Sequence, residues 1–374
     1  MKIGILTYHR AHNYGALLQA YALLTYLREL GQQAEIIDYW PNYHAEDYKL
    51  IPYFKTKNFK GKIKSIFFLI IGYSRILKRS ERYKQFIREQ FGLSDIPRYL
   101  TEDDMKDIEY DLVVYGSDQI WRRSNYSLFK GFSDVYFGAC PKKVKRKIAY
   151  AASMGIIEIE EKDKPYLRRM VHNFDAISVR ENELKQLINK YFEHPVVLVL
   201  DPVLLLSKEK WLQFIHSKTP IIQNKYIFLY QLIPSSDAII LTNRLKAYYG
   251  YKVIEIRGRV EPQLLGDRYL QTASPSDFLS LIKNAEIIVS TSFHGIAFSL
   301  IFEKQFYALG MGTNSGRAKT LLDQIDLPNR YLSDIKCVDF KNNIDYNKVN
   351  IKIASLRQQS EKYLINNLSK SKYN

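Results

Sequence analysis

The chain has 374 residues, 46% hydrophobic and 25% charged; this length suggests two domains and excludes a single small binding module, and the balance excludes a disordered chain. Lys and Arg number 55 against 39 Asp and Glu, a net charge of +16, so the surface offers a positive field suited to nucleic acid, an anionic lipid face or a small acidic substrate. Cys140 and Cys337 are the only cysteines, too few for a disulfide framework or by themselves a structural zinc site, which fits a reducing cytoplasm.

Residues 2–7 read as an apolar strand, 8–14 as a polar loop, 15–30 as a helix ending at Gly31, and 34–40 as a second strand. That is a βαβ start, and it turns polar too early for a signal peptide. The helix is apolar nearly all round, which predicts burial against a parallel sheet. The loop stands where a dinucleotide fold carries G-x-G-x-x-G, but that pattern is missing, so no dinucleotide site is expected. His9 and His12 have metal-like spacing without a third ligand, and no metal is expected. No Asp-x-Asp occurs to hold a nucleotide sugar through a divalent cation.

Residues 55–88 carry eleven Lys/Arg against a single Glu, interleaved with apolar residues. Such a segment suits either an anionic membrane face or a lipid-linked substrate, or else is a helix pair covering the N-terminal sheet. Its apolar run at 66–73 is far short of the ~20 residues of a spanning helix.

Segments 111–115, 175–179 and 286–290 each start on an acid, run apolar and end in a polar turn. They read as strands covered by helices on both faces, whose carboxyl-end turns are where open sheets bind ligands. A strand and turn follow at 196–206, then a polar stretch from 207, a strand at 225–230, a helix at 238–249, a strand at 252–256 and a helix at 275–283 capped by Ser274. The expected division is an N-terminal domain 1–207 with a basic apolar insertion at about 55–90, a C-terminal domain 208–345, and a terminal helix 346–374.

Within these turns, His294 stands at a strand end and a helix start, with Ser292 and Gly295 beside it. This suits an anion next to a proton-handling group, although a lone strand histidine is also commonly a core residue. Arg180 emerges at another strand end, either to meet a carboxylate or phosphate or to pair with Glu181 or Asp118. Asn314 and Arg317 open a further helix, a second amide-rich cationic start. Ser117 lacks the G-x-S-x-G context of a nucleophile, and Asp118 and Gln119 suit binding of hydroxyls.

Six segments, in order, resemble the polysaccharide pyruvyltransferases: 13–20 (NYGALLQA), 115–121 (YGSDQIW), 150–155 (YAASMG), 177–181 (ISVRE), 200–203 (LDPV) and 291–295 (TSFHG). The resemblance runs to about residue 330 and implies an α/β fold of two Rossmann-like lobes, like GT-B glycosyltransferases, with the site in the cleft. It implies transfer from phosphoenolpyruvate to a hexose of a cell-surface glycan, as a cyclic pyruvate ketal with release of phosphate. Phosphoenolpyruvate would be a co-substrate, and no cofactor is expected.

By the same resemblance Arg180 and His294 match catalytic or donor positions; the two helix starts, with Ser292, Gly295, Asn314 and Arg317, suit the carboxylate and phosphate of the donor and are expected on the donor side. His9, Asn13, Asp118 and Gln119 are expected to line the acceptor side. Many members carry Arg where Ser292 stands; Arg317 or Arg257 could supply that cation. The expected setting is cytoplasmic, free or peripheral at the inner membrane face through 55–90, with an acceptor that is free or lipid-linked. Nucleic acid is not an expected partner, since no reader motif accompanies the charge. The alternatives are a metal-independent GT-B glycosyltransferase using a nucleotide sugar, and a glycan- or anionic-lipid-binding protein without turnover.

Overall fold

The computed structural model describes residues 1–45, 59–157, 159–215, 222, 224–260 and 270–369. Six parallel strands form the first sheet: Lys2–Leu6 (β1), Gln33–Ile36 (β2), Glu109–Tyr115 (β3), Lys143–Ala152 (β4), Ala176–Val179 (β5) and Val196–Leu198 (β6), in the order β2-β1-β3-β4-β5-β6. Four parallel strands form the second: Tyr226–Gln231 (β7), Lys252–Arg257 (β8), Ile287–Ser290 (β9) and Gln305–Ala308 (β10), in the order β8-β7-β9-β10. The chain is thus an α/β protein of two Rossmann-like lobes. Strand order reverses between β1 and β3 in one sheet and between β7 and β9 in the other, and crevices at such reversals are where open sheets bind ligands.

Helix Tyr14–Glu29 (α1) starts at Asn13, whose side chain accepts from Gly15 N at 2.8 Å and Ala16 N at 3.4 Å. Its apolar surface all round is explained by its place in one continuous core with residues of both lobes, such as Phe278 and Phe298. At its first turn the Tyr14 ring stacks on Phe278 at 4.5 Å, and its hydroxyl donates to Ala273 O at 2.7 Å, tying the lobes together.

The basic segment forms one helix, Phe59–Phe86 (α2), rather than a pair. The proposed membrane face lies partly outside the described residues, which exclude 46–58 and the side chains of 59–71. Two of the later cations are used internally. Arg79 is buried and donates to Arg257 O at 3.0 Å and Gly258 O at 3.2 Å, and Arg82 meets Asp277 at 2.5 Å. Among the described residues no helix is long and apolar enough to cross a membrane.

Asp277 lies in helix Pro275–Asn284 (α3), which has the expected Ser274 cap and Pro at its first turn. Helix Phe293–Ile301 (α4) follows β9, helix Gly316–Gln324 (α5) follows β10, and the chain ends in Tyr346–Ser369 (α6). That last helix starts on the second lobe, where Tyr346 OH donates to Lys304 O at 2.5 Å, and finishes on the first, where Tyr363 OH donates to Ala149 O at 2.9 Å.

Within the strand and turn read at 196–206, the strand ends at Leu198 and Asp201 turns the chain into the short helix Pro202–Leu204 by accepting from Val203 N at 3.1 Å. One sequence expectation changes. The polar stretch after 207 is the helix Lys208–Phe214, capped by Ser207.

Candidate functional site

Both reversal points open on one cleft of about 450 Å³. Its floor is the start of α4. Thr291 Oγ1 donates to Ile233 O at 2.8 Å and accepts from Ile233 N at 3.1 Å, locking together the turns that follow β7 and β9. The N-cap Ser292 provides no side-chain cap, so the first-turn amides keep their donor capacity beside the cleft.

His294 stands on that first turn and lines the cleft, with its side chain 7% exposed. Its ring fits against the backbone of Gly15 at the start of α1, where a Cβ would stand 2.0 Å from Nδ1. Gly295 faces the other way, toward Ser290 and Tyr230; a Cβ there would stand 2.1 Å from Ser290 Oγ. Its lack of a side chain serves close helix–sheet packing, and Gly295 is not among the residues that line the cleft.

Behind the imidazole lies a buried charge cluster. Asp201, fully buried, pairs with Arg180 Nη1, accepts from Ser117 Oγ at 3.2 Å, and stands 3.6 Å from His294 Nε2. Burial pushes the Asp201 carboxyl up, but Arg180 and then His294 outweigh it and hold the group well below the usual carboxylate range. Arg180 also meets Asp118 at 3.2 Å and lies over the Phe293 ring at 5.2 Å. Its guanidinium is committed to two carboxylates and does not line the cleft, which corrects its expected role as a direct donor contact.

Arg317 is different. It lines the cleft at the start of α5, over the Phe293 ring at 5.7 Å; its buried Nε, like that of Arg180, has no hydrogen-bond partner. Burial first, and Arg180 second, push its guanidinium down to about 10. Glu181 sits nearby, buried, with Oε1 accepting from Ser153 Oγ and from Gly155 N at 3.3 Å; burial pushes its carboxyl up despite the opposing pull of Arg180 and Arg317. Arg257 does not supply the missing cation, because its Nε is spent on Glu255 at 2.6 Å.

Gln119 and Asn314 close the cleft from opposite lobes, Gln119 Nε2 donating to Asn314 Oδ1 at 3.2 Å. Asp118 lines the same wall with its backbone at a left-handed φ of 72°. Part of the wall is aromatic, with Tyr8, Trp40, His44 and Tyr126, alongside Arg122 and Arg123. Burial, with His9 beside it, pushes the His44 imidazole down to about 3 and favours the neutral ring. His9 itself does not reach the cleft. It is wholly buried between Thr7 O and Asp38, each at 2.9 Å, a correction to its expected acceptor role: the strand-end loop turns it inward to meet a carboxylate. Among the described residues no group of three His, Cys, Asp or Glu could hold a metal ion.

A family profile described as polysaccharide pyruvyl transferase matches residues 13–312. The chain belongs to the polysaccharide pyruvyl transferase family. It is therefore a transferase whose acceptor is a glycan. Solved structures similar to this chain include a glycosyltransferase from Rickettsia africae ESF-5, with 12% identity over 99% of each chain and a TM-score of 0.43. Another is the UDP-GlcNAc 2-epimerase from Neisseria meningitidis, with 11% identity over 96% of this chain and 100% of that one and a TM-score of 0.42. No curated protein matches the chain.

In this chain the cleft gathers Asn13, Asp118, Gln119, Ser292, His294, Asn314 and Arg317, and leaves out His9, Arg180 and Gly295. Sequence reasoning treated Asp201 only as part of a motif. The signal was there: it is the one charged residue in 196–206, and a carboxylate in an apolar run needs a buried partner. The aromatic wall left no such signal, because Tyr8, Trp40, His44 and Tyr126 come from three separate segments.

Proposed function

We propose that this chain transfers the pyruvate unit of phosphoenolpyruvate to two hydroxyls of a hexose in a cell-surface polysaccharide or its lipid-linked precursor, forming a cyclic ketal and releasing phosphate. The observation that carries this reading is the cleft floor, where the buried Arg317, with its Nε free of a hydrogen-bond partner, and the uncapped start of α4 line the cleft with His294. A guanidinium and free amides suit the phosphate and carboxylate of a small anion, and the imidazole suits proton movement beside it.

A proton is added to the methylene carbon of the donor, and the first hydroxyl oxygen bonds to the adjacent C2 as it gives up its own proton. The second hydroxyl oxygen then bonds to C2 as the bond from C2 to the phosphate oxygen breaks. Of the two hydroxyl protons, one is balanced by the new methyl group and the other leaves with phosphate. His294 is the proton-handling group. Asp201 and Arg180 position it from behind, and Asp118, Gln119 and Asn13 face the acceptor. Phosphoenolpyruvate serves as co-substrate, and the proposed reaction calls on no further cofactor.

The deciding experiment incubates the chain with glycan acceptors and either phosphoenolpyruvate or nucleotide sugars. Phosphate release and a pyruvate-ketal mass gain are expected with phosphoenolpyruvate, and His294→Ala should lose roughly 10²–10⁴-fold in rate while donor binding survives. Release of nucleoside diphosphate instead would establish glycosyl transfer and overturn the proposal, as would full activity in the His294 variant.

A further inference from the structure

We infer that the acceptor is engaged as an oligosaccharide, with the sugar next to the reacting one held in a second recess lined by the hairpin Ser124–Asn125/Lys130–Gly131. This rests on the transfer reading above, since it places part of that reaction's acceptor in a neighbouring recess.

The recess measures about 580 Å³ and adjoins the main cleft, the two sharing Arg123, Ser124 and Asn125 as a common wall. Each volume falls in the ordinary range for small-ligand sites. A three-carbon donor at the cleft floor cannot extend to both, whereas a chain of sugars is long enough to occupy two cavities that meet at Asn125. The lining suits a sugar, whose ring has apolar faces and a polar rim. Ile157 and Ile159 are partly buried against the core and offer an apolar patch, bordered by the Arg123, Asn125 and Lys130 side chains.

The shared wall is held in place before any ligand arrives. Arg123 is paired with Asp163, lies 3.8 Å from Glu160, and rests over the Phe132 ring at 5.4 Å. A preordered wall lowers the entropy lost when a flexible glycan binds.

The test applies the full chain to an array of bacterial surface glycans, each series present as mono-, di- and trisaccharide glycosides. Wild type is expected to bind the longer members of a series roughly tenfold more tightly than the monosaccharide. Ile159→Trp, which fills the recess, and Lys130→Glu, on the exposed rim, are expected to erase that margin, with thermal melting showing that both fold. Equal binding of monosaccharides, binding of no glycan, or a margin that persists in both folded variants would overturn the inference. Phosphate release from phosphoenolpyruvate with the same glycans separates the two readings. A length preference without phosphate release keeps the recess and sinks the transfer; equal rates with mono- and disaccharides keep the transfer and sink the recess.

Discussion

The imidazole of His294, carried by the second lobe, rests on the α-carbon of Gly15, carried by the first; a methyl group at residue 15 would stand 2.0 Å from Nδ1. The glycine is in the first turn of α1, where alanine would be the better helix former by up to ~1 kcal/mol. Helix stability therefore does not explain why a glycine serves here, but room for the ring does. Gly15→Ala is expected to leave thermal melting within a few degrees of wild type and to lower turnover about 10²-fold by displacing the imidazole. Unchanged turnover in a folded Gly15→Ala chain would remove His294 from the chemistry or show that the ring has slack.

Arg317 should cost the empty protein stability and contribute to binding. Its guanidinium is buried in the cleft wall near Arg180, with Nε unpartnered. Arg317→Met is expected to melt at or above the wild-type temperature without ligand, since a desolvated cation is replaced by an apolar chain of similar length. Phosphoenolpyruvate at 100 times its Kd should stabilise wild type by about 2.7 kcal/mol and the variant hardly at all. A ligand-induced shift of equal size in both would place the anion elsewhere.

How much of this was legible before the structure depends on the range of the signal. The strands at β3, β5 and β9 announce themselves by a local pattern, an acid, an apolar run and a polar turn, and so the turns bearing Asp118 and His294 could be found. β4 carries four cations in its first five residues, which hides it from a reading based on apolar runs, although the strand lies in the middle of the sheet. The fate of a polar side chain was harder still. Arg180 and Arg317 look alike in sequence, each at an element boundary; only tertiary packing gives one two carboxylates and leaves the other facing the cleft. The Gly15 contact with His294 joins residues far apart in the chain, and no local period encodes it.

Asp201 links structure to chemistry, and its removal should show both effects. It is the buried partner of Arg180 and stands behind His294. Asp201→Asn is expected to cost about 3–5 kcal/mol in stability, because a buried guanidinium loses one of its two carboxylates. Turnover measured below the lowered melting point should also fall, since the ring loses the charge that holds it. Arg180→Lys tests which effect dominates. It keeps the cation but not the fork, so a loss of turnover confined to Asp201→Asn would assign the carboxylate to His294 rather than to the pair.

The correction at His9 gives a prediction about acid stability. Asp38 is buried and accepts from His9 at 2.9 Å, from Arg10 at 2.5 and 2.7 Å, and from Arg98 N at 2.9 Å. Burial alone would push its carboxyl up, but His9 and Arg10 outweigh it and hold the group well below the usual carboxylate range. A carboxyl depressed in the folded state contributes stability that is present above its unfolded pKa of about 3.9 and is lost as the pH falls below it. Urea midpoints measured from pH 7 to pH 3 should therefore drop steeply below about pH 4 in wild type. Asp201 has the same sign, so the share of Asp38 is read from Asp38→Asn, which should be destabilised by about 3–5 kcal/mol at pH 7 and show a shallower acid limb. His9→Gln should follow it in losing stability with no change in acceptor KM. A raised acceptor KM in a His9→Gln chain of normal stability would return His9 to the acceptor side.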